Sequence, residues 1–135
     1  MSFDIFVARF RDGKPTAFKR ACFDKVFGKF IAEKETHFLR LRYPNQGGGA
    51  EVYLDDADDI GSVMFNHCGG DEFWEGIYQF AKKIEGVIWW PNIEHISAVA
   101  NADLLRHLPA KFVDEDAHPA VITNGRELVE AIGRS

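Results

Sequence analysis

Residues 44–49 constrain the fold of this 135-residue chain more than any other segment. They begin with Pro44 and end with three consecutive glycines, a composition that does not support regular secondary structure. Before them, apolar and polar residues alternate over residues 36–43, and a period of two is typical of a strand. The segment therefore predicts a hairpin loop, with residues 51–54 as the returning strand.

The same reasoning assigns the other elements. Further strands are predicted over residues 2–10, 60–66, 87–90 and 120–123. Helices are predicted over residues 17–28, 72–84 and 126–132, and a short one runs from Asn101 or Asp103 to His107. The predicted N-caps are Thr16, Asp71 and Asn124. Residues 92–100 fit either a helix or a strand, because their apolar residues match both periods.

The element order is β-α-β-β-β-α-β, followed mostly by helix. This order predicts a single α+β domain over residues 1–135, with a largely antiparallel sheet and helices packed mainly on one face. The first helix is predicted to bury Phe18, Cys22, Val26 and Phe30. The predicted core contains Phe3, Phe18, Leu39, Val52, Met64, Trp74, Ile77, Phe80 and Ile88.

Charge is distributed unevenly along the chain. Residues 1–43 contain ten Lys or Arg and five Asp or Glu, whereas residues 44–135 contain six and sixteen. The acid is concentrated in one turn, residues 55–59, which contains Asp55, Asp56, Asp58 and Asp59. Such a patch attracts cationic partners and repels nucleic acid and anionic lipid. We therefore expect either a docking surface for a basic protein or a solvated turn, and no nucleic acid or membrane partner.

Cys68 is the strongest candidate for chemistry. It lies between a predicted strand and a predicted helix N-terminus, a position that can lower a thiol pKa. Adjacent side chains of an extended chain point in opposite directions, so His67 is badly placed to activate it. We predict that Cys68 is not a nucleophile and that the chain has no catalytic residue. An enzyme that uses Cys68 with a distant histidine is the alternative.

Other motifs for chemistry are missing from the sequence. The five histidines have no zinc-ligand spacing, and Ala57 occupies a ligand position when residues 55–59 are aligned with a calcium loop. There is no phosphate-binding loop, dinucleotide fingerprint or nucleophile elbow. We expect no metal and no cofactor.

The expected location is the cytoplasm. No run approaches the 18 apolar residues of a membrane span, and Asp4 and Arg9 interrupt the apolar start, which is unlike a signal peptide. The two cysteines, Cys22 and Cys68, suit a reducing compartment.

Trp89 and Trp90 precede Pro91 at a strand end. Alternation places one tryptophan in the core and the other outside, where it can act as a contact anchor for a partner. The competing interpretation is that both are buried. An exposed tryptophan together with an unpaired strand edge also leaves homodimerisation as a hypothesis.

Three segments resemble a group of small, mostly uncharacterised bacterial cytoplasmic proteins: MSFDIFVARF, FNHCGGDEFWEGIYQFAKKIEG and VIWWPN. In size, acidity and α+β composition the chain also resembles immunity proteins of contact-dependent and polymorphic toxin systems. This resemblance implies a non-enzymatic protein that binds and neutralises a basic toxin domain, often a nuclease. It assigns no functional residue.

Overall fold

A computed structural model describes residues 4–45 and 47–135. The strands are β1 (Ile5–Arg11), β2 (Lys14–Thr16), β3 (Phe18–Lys19), β4 (Ile31–Glu35), β5 (Phe38–Arg42), β6 (Gly49–Tyr53), β7 (Asp59–Ile60), β8 (Ser62–Gly69), β9 (Val87–Trp89), β10 (Ile96–Val99) and β11 (His118–Val121). The α-helices are α1 (Arg20–Phe27), α2 (Asp71–Ile84) and α3 (Gly125–Gly133), and 3-10 helices span Gly28–Phe30, Ala102–His107 and Ala110–Phe112.

The main sheet has the strand order β11-β10-β9-β1-β8-β6-β5-β4, with β2 paired to the end of β1. The β10–β11 pair is parallel and the other pairs are antiparallel. β3 and β7 form a separate two-stranded sheet. The predicted α+β class with a mostly antiparallel sheet is therefore confirmed, and β4 and β11 are the edges of the main sheet.

Two hairpins follow directly from the turn residues. Asp12 and Gly13 join β1 to β2 with φ values of 52° and 79°, the left-handed conformations that a two-residue hairpin turn requires. The predicted hairpin is formed by β5 and β6, and β6 begins at Gly49, two residues earlier than the returning strand predicted over residues 51–54. There a Cβ on Gly49 would lie 2.1 Å from the carbonyl oxygen of Leu41, so this position accepts only glycine.

The main core lies between the sheet and the three α-helices. α2 occupies the middle of the helical layer, in contact with both α1 and α3. Five buried rings meet beneath it at centroid distances of 5.0–6.5 Å, and we call them the phenylalanine cluster: Phe23, Phe27, Phe65, Phe73 and Phe80. Aromatic packing of this kind supplies much of the buried apolar area of a small domain.

A smaller hydrophobic cluster occupies the opposite face of the sheet, under the 3-10 helices at Ala102–His107 and Ala110–Phe112. Its buried members are Ala8, Phe10, Val87, Val99, Leu104, Leu108 and Phe112. They come from β1, β9 and β10 and from the segment that follows β10. Only one half of this face is therefore covered by described residues.

Most of the predicted core is confirmed. The buried members of the prediction are Phe18, Leu39, Val52, Ile77, Phe80 and Ile88. Trp74 is only half-buried, although it packs against the main core. Met64 was assigned to the wrong face, because Val63 and Phe65 of β8 point into the core. Phe3 lies outside the described residues.

The first helix differs from its prediction. It begins at Arg20, and Thr16 belongs to β2 rather than to a helix cap. The fully buried residues of α1 are Phe23 and Phe27, whereas Cys22 and Val26 are only partly buried. The buried face of α1 is therefore set by contact with the phenylalanine cluster.

The ends of the later helices follow local chemistry. The Asn124 side chain accepts a hydrogen bond from the Glu127 N–H at 2.9 Å, which confirms the predicted cap of α3. Gly70, with φ of 98°, caps α2 in place of the predicted Asp71.

Residues 96–99 form strand β10, so the strand interpretation of residues 92–100 is confirmed for this part of the segment. No helix within the described ranges has the length and apolarity that crossing a membrane requires.

We predict that Phe27→Ala lowers the free energy of unfolding by about 3–5 kcal/mol, because it opens a cavity among four other rings. Trp74→Ala should cost less, since that side chain is half-buried. Val129→Ala, at a position 42% exposed, is the control and should stay within about 0.5 kcal/mol of the wild type. Urea denaturation measures all three, and a Phe27→Ala loss no larger than that of the control contradicts the core assignment.

The contact between two glycine segments gives a second prediction. A Cβ on Gly70 would lie 2.7 Å from the Gly48 Cα, and the positive φ adds strain, so Gly70→Ala should cost about 1–3 kcal/mol. Gly61→Ala has open space and should leave stability unchanged or raise it by up to about 1 kcal/mol. Thermal unfolding distinguishes the two variants, and equal melting temperatures contradict the close packing of the glycine segments.

Candidate functional site

The acidic loop, residues 55–59, connects β6 to β8 through β7, and the side chains of Asp55, Asp56, Asp58 and Asp59 are exposed. Its backbone is held by Arg20, whose side chain is 13% exposed. The Arg20 N–H donates to the Asp58 carbonyl oxygen at 2.8 Å, and Nη1 donates to the Asp55 carbonyl oxygen at 3.3 Å. The loop thus presents its carboxylates to solvent from a fixed backbone.

Two cations partly neutralise the acidic loop. Lys19 Nζ lies 2.7 Å from Asp59 Oδ1, and this hydrogen bond raises the Lys19 pKa. Arg20 Nη1 lies 4.0 Å from Asp56 Oδ1. Among the described residues, Asp55 and Asp58 make no ion pair within that distance, so these two carboxylates are the least compensated of the four, although the charge of Asp58 also helps to raise the Lys19 pKa.

The second acidic cluster, Asp114, Glu115 and Asp116, is also exposed but lies elsewhere. It precedes β11, which starts at the same end of the sheet as the parallel strand β10. The acidic loop precedes β8, and the antiparallel pairings of β8, β1, β9 and β10 place the start of β8 at the opposite end. The two acidic clusters therefore do not form one surface.

The two tryptophans lie on opposite faces of the sheet. Trp90 is 3% exposed within the main core, and its indole Nε1 donates to the Ser135 hydroxyl at 3.0 Å. It therefore offers no exposed surface for the predicted role as a contact anchor. Trp89 is half-buried, stacked on Phe6 at 5.4 Å and edge-on to Phe112 at 5.3 Å. The role of Trp89 in partner binding stays a prediction.

A β-bulge separates His67 from Cys68. Gly69 pairs with Gly49 and Asn66 with Glu51, so His67 and Cys68 together oppose the single residue Ala50. His67 takes the left-handed conformation, with φ of 52°, and stays exposed. Cys68 packs against the main core. Burial, and secondly the Asp4 carboxylate, raise the pKa of the Cys68 thiol to about 12, the opposite of what a nucleophile needs.

An ionic network crosses the sheet face away from the α-helices. Arg40 Nη1 donates to both carboxylate oxygens of Glu33 at 3.0 Å, and Arg40 Nη2 lies 3.6 Å from Glu51. His67 Nδ1 also contacts Glu51, and this hydrogen bond, with help from Arg40, lowers the Glu51 pKa. Arg40, Glu51 and His67 border a cavity of about 420 Å³ beside Gly47 and Gly48. Because the ionic groups pair with one another, they are already satisfied without a ligand.

Sequence reasoning did not identify this network as a candidate site. The signal was present in the alternation of residues 36–43, which places Arg40 on the face opposite Leu39 and Leu41. The partners Glu33 and Glu51 come from the neighbouring strands, and strand β4 was not predicted.

The structure does not gather the histidines into a metal site. In the part of the chain that the structure describes, no three His, Cys, Asp or Glu side chains lie close enough to share a metal ion.

Comparison with protein-family models, with curated proteins and with solved structures finds no match to this chain. The site must therefore be interpreted from its own geometry.

We predict that the Cys68 thiol of the native protein reacts far more slowly with iodoacetamide than an unperturbed thiol, whose pKa is about 8.5. The variant Cys22→Ala leaves Cys68 as the only thiol. Alkylation followed by mass spectrometry at about pH 8 should be slow in the native state and fast in urea. Rapid native alkylation at about pH 6 contradicts the prediction and favours the enzyme alternative.

Proposed function

We propose that this chain is a non-enzymatic protein-binding domain, and specifically a cytoplasmic immunity protein that neutralises a basic toxin domain. The observation that carries the proposal is the acidic loop, whose four exposed aspartates extend from a backbone held by Arg20. The resemblance in size, acidity and α+β composition to immunity proteins supplies the class of partner.

A fixed acidic loop suits the inhibition of a protein that binds nucleic acid. The cleft of such a partner is basic, and aspartate carboxylates can occupy it as substrate phosphates do. Association costs conformational freedom, and a loop that is already held in place loses less of it. Complementary charge also speeds the encounter between the two proteins.

The enzyme alternative has less support from the geometry. The bulge turns Cys68 toward the core, where it packs against apolar side chains. A catalytic thiolate also requires a lowered pKa, whereas burial raises that of Cys68. Homodimerisation stays a separate prediction that the oligomeric state in solution would test.

We predict that replacing the two least compensated carboxylates, by Asp55→Asn and Asp58→Asn, slows association with a candidate basic toxin domain. The expected change is about tenfold in association rate at low salt, because exposed charges act mainly on the rate of encounter. Raising the salt from about 0.01 to 0.15 M shortens the Debye length from about 30 to 8 Å. The difference in association rate between the wild type and the double variant should therefore become smaller. Stopped-flow mixing measures the rate.

The matched control is Glu115→Gln with Asp116→Asn, which changes the net charge equally at the other end of the sheet. This variant should associate almost as fast as the wild type. If both double variants match the wild type at low salt, or if co-expression of the chain fails to protect cells from the toxin domain, the proposal is wrong.

A further inference from the structure

Half of the sheet has a face that no described residue covers, and we call it the uncovered face. On β8, β6 and β5, the residues that point toward the α-helices are buried, as Phe65, Val52 and Leu39 illustrate. On the opposite face, Phe38, Tyr53 and Met64 belong to neither hydrophobic cluster formed by the described residues. These large side chains therefore have a role that core packing does not explain.

A continuous line of large apolar side chains, one from each of five adjacent strands, crosses the uncovered face and ends at Trp89, which packs against the smaller hydrophobic cluster. Each lies directly opposite the next in the strand register, and we call the line the apolar row: Phe38, Tyr53, Met64, Phe6 and Trp89. Phe38 contacts Tyr53 at 5.3 Å, and Phe6 stacks on Trp89 at 5.4 Å. All five are at least partly exposed, Tyr53 by 42%.

A second line of side chains lies beside the apolar row on the same face of the sheet, two residues further along each strand. We call it the acidic row: Glu33, Arg40, Glu51 and Asp4. Glu33 and Glu51 both contact Arg40, and Asp4 accepts a hydrogen bond from Asn66, which is paired with Glu51. Three carboxylates face one guanidinium, so the acidic row has a formal net charge of −2.

Acidic groups border the apolar row on its other side as well. Asp55, the first residue of the acidic loop, follows Tyr53 by two residues at the end of β6. The uncovered face is therefore apolar along its middle, with the acidic row on one side and the first aspartate of the acidic loop beyond the end of β6 on the other.

The dimensions of the apolar row match a helix. Adjacent strands lie about 4.8 Å apart, so five strands span about 19 Å. A helix rises about 1.5 Å per residue and covers that length in about 13 residues. Beside Trp89 at one end of the row is a cavity of about 220 Å³, also lined by Ser97, Lys111 and Phe112, which can accept a single side chain.

We propose that the uncovered face docks a basic amphipathic helix of a partner protein, with its apolar stripe on the apolar row and Lys or Arg residues toward the acidic row and the acidic loop. This inference deepens the proposed function and rests on it for the basic partner. A second copy of this chain is a poor occupant, because two copies would bring identical acidic borders together.

The probe is a synthetic helix of about 14 residues with leucines at i, i+3, i+4 and i+7 and lysines on both flanks. The controls are a peptide of the same composition in scrambled order and one with glutamate in place of lysine. By calorimetry we expect the amphipathic lysine peptide to bind at least about tenfold more tightly than either control. Equal binding of the three peptides overturns the inference.

Substitutions in the protein test whether the apolar row is the binding site for the peptide. Tyr53→Ser and Met64→Ser should each weaken peptide binding about fivefold or more, because each removes a contact of the apolar row. Val129→Ser on α3 is the matched control, since Val129 is 42% exposed like Tyr53, and it should have no effect. Circular dichroism checks that each variant is folded, and equal affinities of all three variants overturn the inference.

Two outcomes separate this inference from the proposed function. If the Tyr53 and Met64 variants bind the toxin domain normally while Asp55→Asn with Asp58→Asn slows association, the docking surface is the loop alone and only this inference fails. If the wild type dimerises in sedimentation experiments and Tyr53→Ser abolishes the dimer, the face is occupied by a second copy and the inference is wrong.

Discussion

The phenylalanine cluster is the interaction on which the rest of the structure depends. Phe65 contributes from the sheet, Phe73 and Phe80 from α2, and Phe23 and Phe27 from α1. These rings fix the helical layer against one face of β8 and so decide which face of every neighbouring strand is left outside. Because strand side chains alternate, burying Phe65 sends Met64 outward and so places it on the face that we propose for docking.

The fold brings basic residues of the first part of the chain into contact with acidic residues. Lys19 and Arg20 belong to the basic part of the chain, yet they fold against the acidic loop and hold it in place. Arg40, also from that part, links Glu33 to Glu51 across three strands. Basic residues thus hold acidic groups in place, and the uncovered face has acidic side chains beside the apolar row.

The sequence predicted features governed by local chemistry. The glycines near residue 48 indicated the hairpin, and Asn124 indicated the start of α3. It could not predict the bulge at His67, which depends on contact between backbone segments far apart in the chain. The face of β8 was ambiguous as well, since Val63, Met64 and Phe65 are consecutive and all apolar. The acidic loop could be identified from the sequence because its aspartates are consecutive or nearly so. The apolar row could not, because its members are adjacent only through the register of five strands.

The edges of the sheet decide how any partner can approach. β4 exposes Glu33, Lys34 and Glu35, and β11 carries Pro119, which lacks a backbone donor. Such edges discourage the addition of a strand from another molecule, so the partner that we propose would have to contact side chains on the faces and loops. Substitutions of side chains on the faces and loops leave the backbone hydrogen bonds of the sheet in place. The surface that we propose for a partner can therefore change by mutation while the fold stays the same.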